Sequence, residues 1–394
     1  MKILIYADTY FPTYVGGGEI FLDKLTKELV KRGFDFLLIT NKLEQNVKRS
    51  ERDNGLTILR VPPESFYIPK SLLKKAFFQI KKLIREILKF FVFFIQFLNY
   101  KPHIFFINGP TITVLPSILP ISSKIKAWKL IKRIFSPFTV VICHALTRPY
   151  GSFLEQDLSD FREADILVYV DKWMEPYLKN IPKIWIPNGV DTNLFSPSPL
   201  QYSHKILSVG RLCHDRGTDL LLNAIPNLVK RFPDIKVQLI GWGDLQIYKK
   251  IVKNLKISDN VEFMGKIPNE ELIDYYRDAY IVVNAARVRG IHIATLEAMA
   301  CGRACIKSYY KPDHKIIEDL KNGFLFNGED VAELVNKIEF SFDNYNLVKK
   351  ISAKAREKAE KFSFTTNALK YENLFNKIAK YILKNEKVSH FSEN

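Results

Sequence analysis

The sequence predicts an α/β protein of two domains, each built on a parallel sheet with crossover helices. Three observations carry this. The chain has 394 residues, more than one hydrophobic core usually spans. Short β-rich apolar runs alternate with helix-length segments in both halves. A polar, stiff stretch, Ser196-Pro197-Ser198-Pro199, separates those halves and reads as a linker. The expected N-terminal domain is 1–195 and the expected C-terminal domain 200–362, with a last helix at about 365–385 crossing back to the first domain. Ligands of open α/β sheets bind beyond the carboxyl ends of the strands, so the facing edges of the two sheets are expected to enclose a central cleft.

The elements follow in order. Lys2 to Tyr6 reads as a buried strand, Glu19 to Arg32 as a helix ending at Gly33, and Asp35 to Thr40 as a second strand. His103 to Ile107, Thr139 to Cys143, Ile166 to Val170 and Ile184 to Ile186 continue the first sheet. In the second half the rhythm returns with Lys205 to Val209, Val237 to Ile240, Val261 to Phe263, Ile281 to Val283 and Ala304 to Lys307, and Asp219 to Val229 reads as a helix.

Composition narrows the class. With 47% hydrophobic and 26% charged residues the chain is suited to globular folding. The apolar stretch at the N-terminus, Ile3 to Ala7, is too short for a signal-peptide core, so residence in the cytosol is expected. The four cysteines lack metal-site spacing and read as reduced thiols; no metal or cofactor is expected.

Net charge is +17 and pI about 9.4, which calls for an anionic partner. The charge is segregated. Lys70, Lys74, Lys75, Lys81, Lys82, Arg85 and Lys89 oppose Leu73, Phe77, Ile80, Ile84, Ile87, Phe91 and Phe94 at helical spacing over about 70–98, a basic amphipathic helix. Lys124 to Arg133 adds a second basic run. Such a helix fits the surface of an anionic membrane, where each cation contributes on the order of 1 kcal/mol; packing on the domain core is the bland alternative. Lys89 and Gln96 interrupt a span, and Pro116 and Pro120 break the uncharged run Ile104 to Ser123. The expected place is peripheral, on the inner face of the cell membrane. A nucleic-acid partner is not expected, because no reader motif accompanies the charge.

Two motifs concentrate chemistry. Val209-Gly210-Arg211-Leu212 with Arg216-Gly217 places two guanidinium groups at a strand end. Gly290-Ile291-His292-Ile293-Ala294-Thr295-Leu296-Glu297 is a glycine turn entering a helix with a carboxylate in its early turns. Guanidiniums and helix N–H groups both favour anions, and a carboxylate further along suits sugar hydroxyls; together they describe a nucleotide-sugar pocket. Gly16-Gly17-Gly18 after the first strand allows backbone N–H groups to approach a ligand, and Gly241-Trp242-Gly243 adds a turn whose indole suits a base.

In order and spacing, Leu207 to Gly217, Gly241 to Gly243 and Thr295 to Gly302 resemble the donor domain of retaining glycosyltransferases of family 4, which have the GT-B fold of two Rossmann-like domains. Pro187-Asn188-Gly189-Val190-Asp191 is similar to the segment leading into that domain, and Phe362-Ser363-Phe364 to the start of the crossing helix. The resemblance implies that Arg211 and Arg216 stabilise the departing diphosphate, that Glu297 accepts from ribose hydroxyls, and that His144 serves the donor sugar or acceptor. Gly16, Gly17, Gly18, Gly210, Gly241, Trp242, Arg289, Gly290, Ile291, His292, Ile293, Ala294 and Glu297 complete the expected donor site.

The chain departs from that family at one charged position. A second glutamate belongs eight positions before Glu297, where this chain has Arg289; His292 stands where glycine is common, and Arg216 where lysine is usual. Three readings of Arg289 stand: recognition of an acidic sugar such as a uronate, an altered way of orienting a neutral hexose, or loss of catalysis. The expected function is transfer of a sugar, with retention, from a nucleoside diphosphate sugar to a lipid-linked or membrane-associated glycan acceptor. A silent sugar-binding scaffold and a nucleotide-sugar epimerase on the same architecture are the alternatives.

Overall fold

In a computed structural model of the chain, residues 1–7, 10, 17–41, 47–61, 91–108, 138–143, 164–310 and 316–384 are described. They fall into two compact units: the chain up to Ile186 with the residues from Asn367 onward, and Pro187–Thr366.

The first unit holds an eight-stranded sheet of order β3-β4-β2-β1-β5-β6-β7-β8. β1 (Lys2–Ala7) lies between β2 (Asp35–Asn41) and β5 (Ile104–Asn108), parallel to both. Flanked on both edges and covered on both faces, it reads as an unbroken apolar run, as central parallel strands do. β6 (Phe138–Cys143), β7 (Ile166–Tyr169) and β8 (Lys183–Trp185) continue the parallel order. The sheet is not wholly parallel. β3 (Ser50–Asp53) and β4 (Leu56–Val61) form an antiparallel hairpin at one edge, turned by Asn54 and Gly55, both at positive φ. The Asn-Gly dipeptide is the hairpin signal, and the polar Ser50–Asp53 stretch is tolerated because an edge strand needs no apolar face.

Helix α1 (Gly17–Lys31) buries Phe21, Leu22, Leu25 and Leu29. It starts at Gly17, so Gly17 and Gly18 stand in its first turn rather than in a free loop; Gly16 lies outside the described residues. Of the expected basic helix, 70–90 lies outside the described residues. Residues 91–100, α2, are helical, with Phe93 and Phe97 buried against Phe105 of β5. Phe91, Ile95 and Leu98 are exposed on the other side. The run 91–95 is therefore divided between core and surface.

The second unit holds a six-stranded parallel sheet of order β11-β10-β9-β12-β13-β14. Its strands are β9 (Lys205–Val209), β10 (Lys236–Ile240), β11 (Val261–Gly265), β12 (Ile281–Asn284), β13 (Ala304–Tyr309) and β14 (Phe324–Asn327). Helices α3 (Thr218–Arg231), α4 (Leu245–Asn254), α5 (Leu272–Asp278), α6 (Ile293–Ala300), α7 (Val331–Asp343) and α8 (Tyr345–Glu360) connect or cover them. α3 and α7 supply Leu220, Leu221, Leu228, Leu334 and Ile338 to one continuous core.

The division between units falls at Ile186/Pro187, ahead of the expected linker. Ser196–Pro199 is tied down within the second unit. Arg277 donates to the Ser196 carbonyl and hydroxyl at 3.0 and 2.6 Å, and the buried Arg303 to those of Ser198 at 3.1 and 2.7 Å. Two arginines thus convert a linker-like composition into ordered wall. The last helix, α9 (Phe364–Lys384), begins in the second unit and belongs to the first from Asn367. There Tyr371 and Phe375 pack on Phe106, and Arg32 pairs with Glu372 at 2.9 Å.

Candidate functional site

In the second sheet the strand order reverses direction between β9 and β12, the place where an open α/β sheet leaves a crevice for ligand. The two strands pair only at Ile281 with Ile206 and Val282 with Leu207. Beyond that point they diverge, and the chain after each strand carries the motifs singled out in the sequence.

After β9 the backbone is set by glycines. Gly210 has φ +150° and Gly241 φ +147°; a Cβ on Gly241 would lie 1.7 Å from the Gly210 carbonyl oxygen, and one on Gly243 2.0 Å from that of Leu212. The Gly241-Trp242-Gly243 turn is bare so that it can lie against Gly210-Arg211-Leu212, bonded from Gly210 N to Ile240 O and from Leu212 N to Trp242 O. Trp242 between them is about half exposed. Gly217, at φ +66°, lies on the end of β12: a Cβ there would be 1.9 Å from the Ala285 carbonyl oxygen. The 3-10 turn His214–Arg216 is thereby seated on the opposite wall of the crevice.

Arg211 and Arg216 stand at either end of this loop, and neither guanidinium has a hydrogen-bond or ion-pair partner among the described residues. Burial lowers the Arg216 pKa, and the neighbouring Arg211 charge lowers it further. Two adjacent guanidiniums with no carboxylate bonded to them among the described residues form a site that is costly when empty and favourable with a bound anion.

Arg287, after β12, is in the opposite condition. It makes a bidentate pair with Asp219 at 2.8 and 2.8 Å and another with Glu329 at 2.7 and 2.9 Å, and its Nη1 donates to the His214 carbonyl at 2.6 Å. Its backbone N–H donates to the Asp215 carbonyl at 2.9 Å. The Asp219 hydrogen bonds, against the cost of burial, raise the Arg287 pKa. Burial opposes ionisation of Asp219, yet Arg287 outweighs it and holds that carboxyl below its usual range.

Gly290, buried and at φ +115°, turns the chain into α6, with Ile291 buried and His292 at the helix N-cap. No side chain caps the helix, and the first N–H groups of a helix, here those of Ile293 and Ala294, have no intrahelical acceptor. His292 Nδ1 meets the Asn284 side chain at 2.9 Å, and Asn284 Nδ2 also donates to Thr295 Oγ1 at 2.9 Å. Burial, then Arg216 and Lys307, push the His292 pKa well below its usual value, with the Val288 carbonyl acting in the other direction. The ring is neutral and adjoins the cationic loop. Arg289 lies in the turn before Gly290, half-buried and engaged in an interaction of its own.

Glu297 is 5% exposed, and both its carboxylate oxygens are engaged: Oε1 accepts from Asn269 Nδ2 at 3.0 Å and Oε2 from the Tyr276 hydroxyl at 2.8 Å. Burial raises its pKa, and those two donors partly offset that. Each oxygen keeps one further lone pair for a ligand hydroxyl.

The structure therefore groups Arg211, Arg216, Gly217, Gly290, His292 and the start of α6 at one crevice, with Glu297 a turn further along. His144, like Gly16, lies outside the described residues. Asn269, Tyr276, Asn284, Arg287 and Asp219 were not evident from the sequence. An arginine in a region already rich in cations and an acid in a helix's first turn look like surface charge until the fold pairs them. The described cysteines are free thiols, three of them buried. Among the described residues no cluster of three His, Cys, Asp or Glu could hold a metal, and no helix is long and apolar enough to cross a membrane.

Two α/β units, the second with strand order reversing at a cation-lined crevice, have the architecture of the GT-B fold. Residues 193–358 match the family Glycosyl transferases group 1, and the chain is similar to family 4-like GT-B enzymes; it is a hexosyltransferase acting with nucleotide sugars. An uncharacterized glycosyltransferase of Haemophilus influenzae is 26% identical over 356 residues, 88% of this chain and 92% of that protein. The GDP-mannose-dependent alpha-(1-6)-phosphatidylinositol monomannoside mannosyltransferase of Mycolicibacterium smegmatis is 28% identical over 172 residues, 39% of this chain and 45% of that protein. Among solved structures, sucrose-phosphate synthase from Thermosynechococcus elongatus superposes with a TM-score of 0.78 at 19% identity, covering 96% of this chain and 99% of that one. Anabaena HepE in complex with UDP-glucose superposes at 0.70 and 16% identity, covering 96% and 100%.

Proposed function

We propose that this chain transfers a hexosyl residue, with retention, from a nucleoside diphosphate sugar to a hydroxyl of a lipid-linked glycan at an anionic membrane surface. The observation that carries the reading is the pair Arg211 and Arg216, unpartnered among the described residues at the switch point of the sheet. Charge that develops on a departing diphosphate is stabilised by fixed cations and helix N–H groups without reorganisation. In this reading Glu297, held by Tyr276 and Asn269, accepts from ribose hydroxyls. Arg289, in the position of the family's first glutamate, suits a donor sugar bearing a carboxylate, through a charge-assisted pair.

The acceptor class rests on two features. Phe91, Ile95 and Leu98 leave apolar surface exposed on α2, directly after a stretch of seven Lys and Arg residues between 70 and 89, a composition suited to an anionic leaflet. The mycobacterial mannosyltransferase relative bears a name that specifies a phosphatidylinositol mannoside.

The test is a thermal-shift panel of UDP, GDP, ADP and their neutral and uronic sugar conjugates. Ligand at about 100 times its Kd adds about 2.7 kcal/mol. Stabilisation by one nucleotide series, exceeded by its uronic conjugate, is expected; silence throughout overturns the donor reading, and equal response to neutral and uronic conjugates overturns the role of Arg289. Flotation with anionic but not neutral vesicles is expected for the membrane, and equal behaviour with both overturns it.

A further inference from the structure

One side chain joins the two walls of the crevice, and it is not one of the anion-binding pair. The turn that presents Arg216 follows β9, whereas Arg287 follows β12. Arg287 reaches across with Nη1 to the His214 carbonyl and with its backbone N–H to that of Asp215, so the two residues immediately before Arg216 are both fixed by it. Its remaining donors are taken up by Asp219 and Glu329. We propose that Arg287 is a positioning residue of the diphosphate site, fixing the Arg216 turn while two carboxylates keep its own charge from competing for the ligand.

A second observation points the same way. Glu329 has φ +71°, the left-handed region that a non-glycine residue occupies at a cost when the surroundings require it. Its Oε1 accepts from Arg287 Nε and from the Tyr310 hydroxyl, and the neighbouring Gly328 is pressed against Tyr310, where a Cβ would lie 2.0 Å from the ring. The chain accepts a strained acidic residue where glycine would be easier, and its carboxylate completes the Arg287 clamp. Holding two like charges side by side, as Arg211 and Arg216 are, needs such rigidity; a displacement of about 1 Å in a positioned group can cost about a hundredfold in rate.

The inference rests on the nucleotide-sugar reading above, and the experiment separates the two. Affinities for UDP, GDP and ADP and for the matching monophosphates are measured by calorimetry with the full chain, alongside thermal midpoints, for wild type, Arg287→Gln, Arg287→Lys and Glu329→Gly. Expected is a loss of about ten- to a hundredfold in diphosphate affinity for Arg287→Gln, with a much smaller loss for the monophosphate. Lys cannot reproduce two bidentate forks, so Arg287→Lys is expected to rescue little. Glu329→Gly removes the backbone strain, so its midpoint is expected to hold while diphosphate affinity falls about threefold or more. Should Arg287→Gln not fold, the other two variants decide. Unchanged diphosphate affinity in Arg287→Lys and Glu329→Gly, or parallel loss of mono- and diphosphate binding with falling midpoints, overturns the positioning role. A wild-type chain that binds none of the diphosphates overturns the nucleotide-sugar reading itself, and this inference with it.

Discussion

The Tyr276 hydroxyl donates to Glu297 Oε2 across 2.8 Å in a fully buried setting, so the one carboxylate of α6 is held by a phenol from α5 before any ligand arrives. Burial raises the Glu297 pKa, and Tyr276 and Asn269 act against that rise. A folded-state pKa above the unfolded one means the folded chain binds more protons across the interval between them. Stability from this group is present below the ordinary carboxylate range and is lost as pH rises through the raised value. Glu297→Gln is expected to remove that slope while weakening nucleotide affinity. Urea unfolding of both proteins from pH 4 to 8 checks it, and identical pH profiles would refute the assignment.

His292 has the opposite sign. Its folded-state pKa is depressed, by burial first and then by Arg216 and Lys307, so the stability of the neutral ring is present above about pH 6.5 and lost as pH falls below it. A single such proton contributes a slope of up to about 1.4 kcal/mol per pH unit. His292→Gln is expected to flatten the wild-type fall between pH 7.5 and 5.5; equal slopes in urea titrations would contradict it.

Arg216 sets function against stability. Burial and the Arg211 charge both disfavour its ionised form. Arg216→Gln is therefore expected to leave the thermal midpoint unchanged or raise it, while diphosphate affinity falls by about a hundredfold, the loss of charge-assisted hydrogen bonds worth about 1.5 to 3 kcal/mol. A variant that unfolds earlier and binds as tightly as wild type would show that the guanidinium is structural.

Glycine substitutions separate backbone roles. A Cβ on Gly241 would meet the Gly210 carbonyl at 1.7 Å, at φ +147°, so Gly241→Ala is expected to destabilise by at least about 2 kcal/mol through overpacking and strain. A Cβ on Gly18 meets nothing within 4 Å, and α1 gains from a better helix former; Gly18→Ala is expected to stabilise by up to about 1 kcal/mol. Denaturant midpoints of the two variants test both signs.

Much of the fold is written locally. The central strands β1, β2, β5 and β12 are buried along nearly their whole length, and such strands are largely apolar, which makes them visible in the chain. The edge hairpin β3–β4 was missed because Ser50–Asp53 is polar and exposed, leaving Asn54-Gly55 as its one signal. The linker reading of Ser196–Pro199 followed from composition, which cannot see Arg277 and Arg303 arriving from 81 and 105 positions away.

The sequence by itself determined two parallel-sheet units, a glycine-flanked pair of arginines after one strand, and a glycine turn into a helix carrying Glu297, because glycines at positive φ, buried strands and helix starts are set by neighbours in the chain. Only the tertiary structure decided which charges are spent and which are free. Arg211, Arg216 and Arg287 are the same residue type within one region, yet Arg287 is neutralised by Asp219 and Glu329 whereas no carboxylate among the described residues forms an ion pair with the other two. Electrostatic state depends on distance through space, and the partners that set it come from α3, the chain after β14 and the ends of strands that meet only once the sheet is assembled.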